Sequence, residues 1–365
     1  TLLGVWIKPI VDSGLTRVTE VIVDDRIFDR EFVHPAWPVD QLAARYCAEV
    51  AGLNFHMNVL HFYPKPRQGQ SPVIGGSVPD PPWIRISNMA TSRNGGRDES
   101  NIWIARTGDT NDLTFRGNVR FAYKAPVAIT LHNEPEFFAR LLADRLGRKG
   151  VSVSKARAAT TDELFTDAKP LGPVITTPIS TVITRANTDS ENLYAEALLK
   201  RIGAAMTGEP GSWVNGAAIL RHILHERLDD PALSSNVVVT DGSGLASSNR
   251  VAASTMTAWL NSFHNDEKLA QVFVDSLAVG GKSGTLDNRF KTADLRGAVV
   301  QAKSGYINGV SCLTGFVTAA DGRRRSFSIL MNSVKEVSQA KKVQEQIVTA
   351  IAQDLAEVPV QLGSD

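Results

Sequence analysis

Three short motifs in the second half of the chain combine residue types that suit acyl-transfer chemistry. They are S-E-N at 190–192, D-G-S-G-L at 241–245 and K-S-G at 303–305. Cleavage of a peptide bond through an acyl-enzyme needs a nucleophile, a proton shuttle, an oxyanion hole and an anchor for the substrate. A terminal carboxylate is an anion, so a Lys–Ser pair suits that anchor. Each motif is weak alone, but their order and context are much less expected by chance.

The helices and strands predicted around these motifs indicate an α+β arrangement. The S-E-N motif precedes a helix predicted over 191–206, and the K-S-G motif lies on a strand predicted over 299–306. Antiparallel strands packed by terminal helices favour this class. The other elements predicted in this half are a strand and turn over 237–245, strands over 309–319 and 325–333, and helices over 213–228, 250–263 and about 336–355.

The first half of the chain has a different composition. The stretch from 64 to 100 is rich in Pro, Gly, Ser and Asn, and 101–131 alternates between apolar and polar residues, which is typical of strands. Further predictions are strands at 17–24 and 151–158 and helices at 2–15 and 136–146. The prolines near 160–175 indicate a boundary. We therefore expect a mostly-β region over 1–170, as one domain or two, and a second domain over 171–365.

Composition excludes several functional classes. Among 365 residues, 39 Lys and Arg balance 38 Asp and Glu, which does not suit a basic nucleic-acid binder. No stretch approaches the ~18 apolar residues of a membrane-spanning helix. Two cysteines, Cys47 and Cys312, exclude a disulfide-rich scaffold and a cysteine zinc cluster, and their pairing stays open. The seven histidines contain no H-E-x-x-H motif, so we predict no metal and no cofactor.

S-x-N and K-T/S-G belong to the signature of penicillin-binding proteins and class A β-lactamases. The chain resembles the class C low-molecular-mass penicillin-binding proteins, the D-alanyl-D-alanine carboxypeptidase/endopeptidase family. The matching text lies between residues 187 and 317, while RVTEVIVDDRIFD at 17–29 resembles the start of the accessory domains inserted in that family. The resemblance implies a penicillin-binding/β-lactamase-like core, an antiparallel sheet flanked by helices, with inserted mostly-β domains.

The resemblance also implies residue roles. Ser190 relays a proton to the leaving amine, and Asn192 hydrogen-bonds to the substrate amide. Lys303 supplies positive charge near Ser190 and near the terminal carboxylate, to which Ser304 donates a hydrogen bond. Gly305 and Tyr306 complete the substrate-binding strand. Tyr306 stands where the family usually has Thr, which changes the contacts expected with the carboxylate.

The catalytic candidates also have structural interpretations. Ser190 could serve only as a helix N-cap, because Thr188-x-x-Glu191 matches a capping box. Asn192 could be a solvated residue of the first helical turn. Lys303 could be a charge that keeps an edge strand from aggregating.

Two other segments of the second half need an interpretation beside the catalytic candidates. Lys282–Thr285 matches K-T/S-G-T better than residues 303–306 do, but its neighbours predict a loop, so we favour Lys303. The segment 241–245 is predicted as a turn that positions the cleft without being catalytic.

The family's nucleophile, the Ser of S-x-x-K, is not located. Ser152-x-x-Lys155 lies on a predicted strand, where residues three apart point to opposite faces. Ser338-x-x-Lys341 lies on the final helix, after the K-S-G strand, whereas the family places S-x-x-K before S-x-N. We therefore expect that the N-terminal core segment is missing from this sequence. Either the sequence lacks a segment of the real protein, or the protein is a relative that cannot be acylated.

The predicted function is a bacterial serine-type DD-peptidase of the periplasm or cell envelope. It would cut at terminal D-Ala-D-Ala in peptidoglycan stem peptides and be acylated by β-lactams, with neither nucleic acid nor membrane span involved. One alternative is a non-catalytic peptidoglycan-binding relative, and another is a D-aminopeptidase or esterase on the same fold.

Overall fold

The computed structural model describes residues 2–93, 100–264, 266 and 268–357. The chain divides into two compact units. Unit 1 comprises Thr1–Ile175 and Gly208–Ser212, and unit 2 comprises Thr176–Thr207 and Trp213–Asp365. Every residue assigned to the candidate site by sequence lies in unit 2.

Unit 1 consists of short strands around an aromatic core. Its helices are α1, Leu2–Asp12, and α2, Glu134–Gly147. Its strands are β1 Arg17–Val23, β2 Val59–Phe62, β3 Lys65–Arg67, β4 Gln70–Val73, β5 Ile86–Asn88, β6 Thr91–Ser92, β7 Trp103–Arg106, β8 Leu113–Arg116, β9 Asn118–Val119, β10 Val127–Thr130 and β11 Ser152–Ala158. They pair as β1-β11, β2-β10, β3-β4, β5-β8-β7 and β6-β9.

Packing explains why such short strands hold together in unit 1. Phe62 and Phe115 are fully buried and meet edge to face, with ring centroids 4.9 Å apart. Helix α2 contributes Phe137, Phe138 and Leu141 to the same core. Asn133 caps this helix, because its side chain accepts a hydrogen bond from the backbone N–H of Glu136.

Unit 2 is a four-stranded antiparallel sheet with helices. The helices are α3 Ile179–Asn187, α4 Asn192–Thr207, α5 Trp213–Leu228, α6 Pro231–Ser234, α7 Ala253–His264, α8 Ala270–Asp275 and α9 Val337–Glu357. The strands, in sheet order, are β12 Ala278–Val279, β13 Val299–Ile307, β14 Val310–Thr318 and β15 Arg324–Asn332. This arrangement confirms the predicted α+β class.

The C-terminal helix covers one face of this sheet. Residues 340, 344, 348 and 352 of α9 are buried at intervals of four, which places them on one side of the helix. Val348 and Ala352 join Leu313 and Val317 of β14 in one apolar cluster. Gly315 is required in β14, because a Cβ there would lie 2.2 Å from the carbonyl oxygen of Gln301.

Some local predictions were wrong. The valine-rich stretch at 237–239 was predicted as a strand, but Val238 forms only an isolated bridge with Arg250. Helix α3 was not predicted, since its threonines and isoleucines have weak helical propensity. Within the described residues, none of the helices combines the length and the apolar character needed to cross a membrane.

Candidate active site

A hydrogen bond between Lys303 and Ser190 joins two of the three sequence motifs. The Lys303 Nζ donates to the Ser190 Oγ over 2.7 Å and also to the backbone carbonyl of Ser304. Both side chains are half-buried. A lysine that contacts this serine is not merely a solubilising charge on a strand. The pair can pass a proton between an ammonium group and a hydroxyl.

Burial prepares Lys303 for that exchange. Loss of hydration lowers the pKa of the Lys303 ammonium to about 8, from an ordinary 10.5. A group with a pKa close to the working pH both gives up and takes back a proton readily. Burial has the opposite effect on the neighbouring Cys312 thiol, whose pKa is raised.

The loop that carries Ser190 is fixed by its neighbours. Thr188 Oγ1 donates to the Ser276 carbonyl over 2.6 Å, and Asn187 Nδ2 donates to the Ser276 hydroxyl over 2.8 Å. Ser190 itself has φ +58°, in the left-handed region that is unfavourable for an L-residue with a side chain. Strain of this kind persists where the surroundings hold the backbone firmly.

The capping-box interpretation of this loop is wrong. Thr188 is the C-cap residue of α3, and its hydroxyl bonds to Ser276. Helix α4 begins at Asn192, which is half-buried in its first turn. Asn192 therefore follows Ser190 at the entry to the helix, as the S-x-N spacing predicts.

The K-S-G strand is open along part of one edge. Among the residues that the structure describes, β12 pairs with β13 at Gln301 and Ala302, so residues 303–305 lie just beyond this paired stretch. The Ser304 hydroxyl donates to the Thr285 Oγ1 over 2.8 Å. Gly305 faces Cys312 across the strand pair, and Tyr306 is 60% exposed.

Sequence reasoning missed Thr285. Its segment, Lys282–Thr285, was set aside as a loop outside the site, and the structure places its last residue directly beside Ser304. The segment enters a 3₁₀ turn, Gly284–Leu286, after β12. The signal in the sequence was the text GTLDNRF at 284–290, which contains Thr285 and lies within the part of the chain, 187–317, that resembles the family.

The D-G-S-G-L segment is held by a buried carboxylate of α4. Glu196 accepts hydrogen bonds of 2.8 Å from the backbone N–H groups of Gly242 and Ser243 and from the Trp213 indole. Burial raises the pKa of Glu196. A Cβ on Gly242 would lie 2.5 Å from the Ala195 carbonyl oxygen. The segment is therefore a turn docked on the helix that begins at Asn192.

Neither S-x-x-K match resembles a catalytic pair. Ser152 and Lys155 lie on β11, and Lys155 forms an ion pair of 3.0 Å with Glu20. Ser338 and Lys341 lie on α9 and are exposed. Among the residues that the structure describes, no group of three or more His, Cys, Asp or Glu could hold a metal ion, and both cysteines are free thiols.

An antiparallel sheet with a C-terminal helix on it, and a Lys–Ser contact near an open strand edge, agree with the core that the resemblance in the sequence implied. The family profile described as D-Ala-D-Ala carboxypeptidase 3 (S13) matches residues 5–354. The chain belongs to this family, which confirms the resemblance found in the sequence.

The chain is also similar to individual proteins, in sequence to one and in fold to another. It is 30% identical over 336 residues to a D-alanyl-D-alanine carboxypeptidase of Actinomadura sp. (strain R39), covering 88% of this chain and 61% of the relative. The fold matches penicillin binding protein 4 of Haemophilus influenzae with a TM-score of 0.75 at 17% identity, over 96% of this chain and 78% of that one. The same H. influenzae protein complexed with a β-lactam matches with a TM-score of 0.69 at 18% identity, over 97% of this chain and 77% of that one.

Proposed function

We propose that this chain carries the proton-relay and carboxylate-binding groups of a serine DD-peptidase that acts on D-Ala-D-Ala termini of peptidoglycan stem peptides. The observation that carries the proposal is the 2.7 Å hydrogen bond between Lys303 Nζ and Ser190 Oγ. Family membership over residues 5–354 supplies the reaction class. The proposed place of action is the periplasm or cell envelope, where that substrate occurs.

The chemistry proceeds through an ester. A nucleophilic hydroxyl attacks the carbonyl of the penultimate D-Ala, so a C–O bond forms and the C–N bond to the terminal D-Ala breaks. Ser190 gives its proton to the departing nitrogen and recovers one from the Lys303 ammonium, and the proton that the attacking hydroxyl loses passes to Lys303 and restores the ammonium. Water then hydrolyses the ester, and the proton that water loses passes by the same path to the oxygen of the nucleophile, which regains its hydroxyl. The pKa of Lys303, lowered by burial to about 8, suits both directions of transfer.

The other motif residues bind the substrate in this proposal. Asn192, at the entry to α4, donates its side-chain amide to the carbonyl of the peptide. Lys303 and Ser304 face the terminal carboxylate from β13, and Gly305 leaves room for the extended peptide beside the strand. Tyr306 is the exposed residue that follows Gly305 on this strand.

The nucleophile is not assigned to a residue of this chain. Lys155 is engaged with Glu20, and the Ser338–Lys341 pair is exposed on α9. The proposal therefore predicts that neither Ser152 nor Ser338 is acylated.

The test is labelling of the full-length protein with a fluorescent penicillin, followed by intact mass measurement and peptide mapping. Release of D-Ala from an N-acylated peptide ending in D-Ala-D-Ala is measured in parallel. We expect one labelled serine outside the two matches, together with D-Ala release. Acylation of Ser152 or Ser338 would overturn the site assignment. A protein that neither labels nor releases D-Ala would refute the peptidase proposal and favour a peptidoglycan-binding role.

A further inference from the structure

We infer that Thr285 is a carboxylate-binding residue, whose hydroxyl donates directly to the C-terminal carboxylate of the substrate. The inference deepens the proposed function and rests on it. It adds a binding group from the turn after β12, outside the S-x-N and K-S-G motifs.

The hydrogen bond between the Ser304 and Thr285 hydroxyls carries the argument. Ser304 Oγ and Thr285 Oγ1 lie 2.8 Å apart, and one of the two hydroxyl protons fills this contact. When Ser304 is the donor, its only proton is committed and Thr285 keeps its own O–H for the carboxylate. Thr285 is exposed, and within the described part of the chain no group accepts a hydrogen bond from its hydroxyl. A hydroxyl that accepts one hydrogen bond becomes a stronger donor in the next.

The turn that carries Thr285 is locked to both motifs. Gly280 N–H donates to the Val300 carbonyl over 2.9 Å, which ties the start of the turn to β13. Thr285 N–H donates to the Thr188 carbonyl over 3.2 Å, which ties its end to the loop of Ser190. Gly284 has φ +55°, and a Cβ there would lie 2.1 Å from the same carbonyl oxygen. The Thr285 hydroxyl is thus preorganised rather than free to swing.

The K-S-G strand lacks a hydroxyl that the Thr285 side chain can replace. The residue after Gly305 is Tyr306, so the strand lacks the second short hydroxyl that K-T/S-G-T carries. Thr285 supplies a hydroxyl beside Ser304 from a different segment. Lys303 contributes the positive charge from the same strand. Together they form a receptor for one anionic group, the free carboxylate of a D-amino acid terminus.

The test compares two ligands that differ only at this group, N-acetyl-D-Ala-D-Ala and its C-terminal carboxamide. Binding to the full-length protein is followed by NMR titration, which needs no turnover. The variants are T285V, which keeps the shape without the hydroxyl, and T285S, which keeps the hydroxyl. T292V, at an exposed threonine in another segment of the same unit, is the matched control. Circular dichroism verifies folding, and T285A replaces T285V if the valine variant does not fold.

We expect T285V to lose about tenfold to hundredfold in affinity for the acid, as for a hydrogen bond to a charged group, and less than threefold for the carboxamide. T285S should restore the acid affinity, and T292V should match the natural protein. Two results would overturn the inference. In the first, T285V prefers the acid over the carboxamide as strongly as the natural protein does. In the second, the natural protein binds the acid and the carboxamide with equal affinity. If the binding results are as expected but the protein does not release D-Ala, the peptidase proposal is refuted and the carboxylate-binding role of Thr285 is retained.

Discussion

Replacement of Ser190 separates the chemical role of its hydroxyl from the conformational role of its backbone. Ser190 has φ +58° and accepts the hydrogen bond from Lys303. Alanine removes the hydroxyl and keeps the strained conformation, whereas glycine removes both. The loss of an acceptor for Lys303 is common to both variants, so it cancels when they are compared.

The expected difference in stability follows from two opposing terms. A left-handed conformation costs an L-residue about 1–2 kcal/mol, which glycine avoids. Glycine loses about 0.4–1 kcal/mol through the greater freedom of the unfolded chain. Ser190→Gly should therefore exceed Ser190→Ala in free energy of unfolding by about 1 kcal/mol, or about 2–4 °C in Tm for a unit of this size.

The expected effect on activity is the same for both variants. Without the hydroxyl, the leaving amine loses its general acid, which costs about 100-fold to 10,000-fold in rate. The measurements are thermal denaturation, D-Ala release and the rate of penicillin acylation. Ser333→Gly is the matched control, because Ser333 also has a positive φ, of 55°, and is exposed. It should gain stability and keep full activity.

Two results would contradict this reasoning. Equal stability of the alanine and glycine variants would show that the Ser190 backbone stores no strain. Peptidase activity within tenfold of the natural protein in either variant would show that Ser190 is not the relay.

Three further predictions concern pH and buried charges. Because the bound anion needs the Lys303 ammonium, affinity for an acid ligand should fall as pH rises through about 8, and an affinity that stays flat to pH 10 in a binding titration would contradict this. The hydrogen bond that the His132 ring donates to the Glu49 carboxylate raises the pKa of His132 above 6.5, so its stabilisation should be complete below pH 6.5 and lost as pH rises through the raised value. Urea unfolding at pH 5.5 and pH 8.5 should show this difference, and His132→Gln should remove it. Glu196→Ala leaves the backbone N–H groups of the 241–245 turn without their acceptor and should cost about 3 kcal/mol, and unchanged urea unfolding would show that the turn does not need this anchor.

The contact at the centre of the candidate site was implied by resemblance to the family. The motifs S-x-N and K-S-G carry that resemblance, which implied that Lys303 lies near Ser190, and the structure places the two 2.7 Å apart. Their catalytic roles stay predictions. The long helices and the three long strands were also predicted, because their apolar periodicity is strong. Thr285 escaped prediction since its position depends on how the turn after β12 packs against Thr188, which is a tertiary contact.

The strand prediction at 237–239 failed for a related reason. Three consecutive valines suit an extended chain, yet a strand also needs a partner with a matching register, and here only one bridge forms. In the same way, the residue types of Lys282–Thr285 alone could not decide whether Lys282 or Lys303 contacts Ser190, because that contact depends on which segment lies beside Ser190 in the folded chain. Local propensity predicted helices and strands, whereas contacts between residues far apart in the sequence were found only in the structure.

The bond between Ser190 and Lys303 has a consequence for the folding of the protein. It connects residues 113 positions apart, so the chain must close a long loop before the two groups meet. Closing a loop of this length costs entropy, which the packing of unit 2 must offset. The contact between Ser190 and Lys303 therefore depends on the tertiary fold of unit 2, and neither the helix nor the strand supplies it alone.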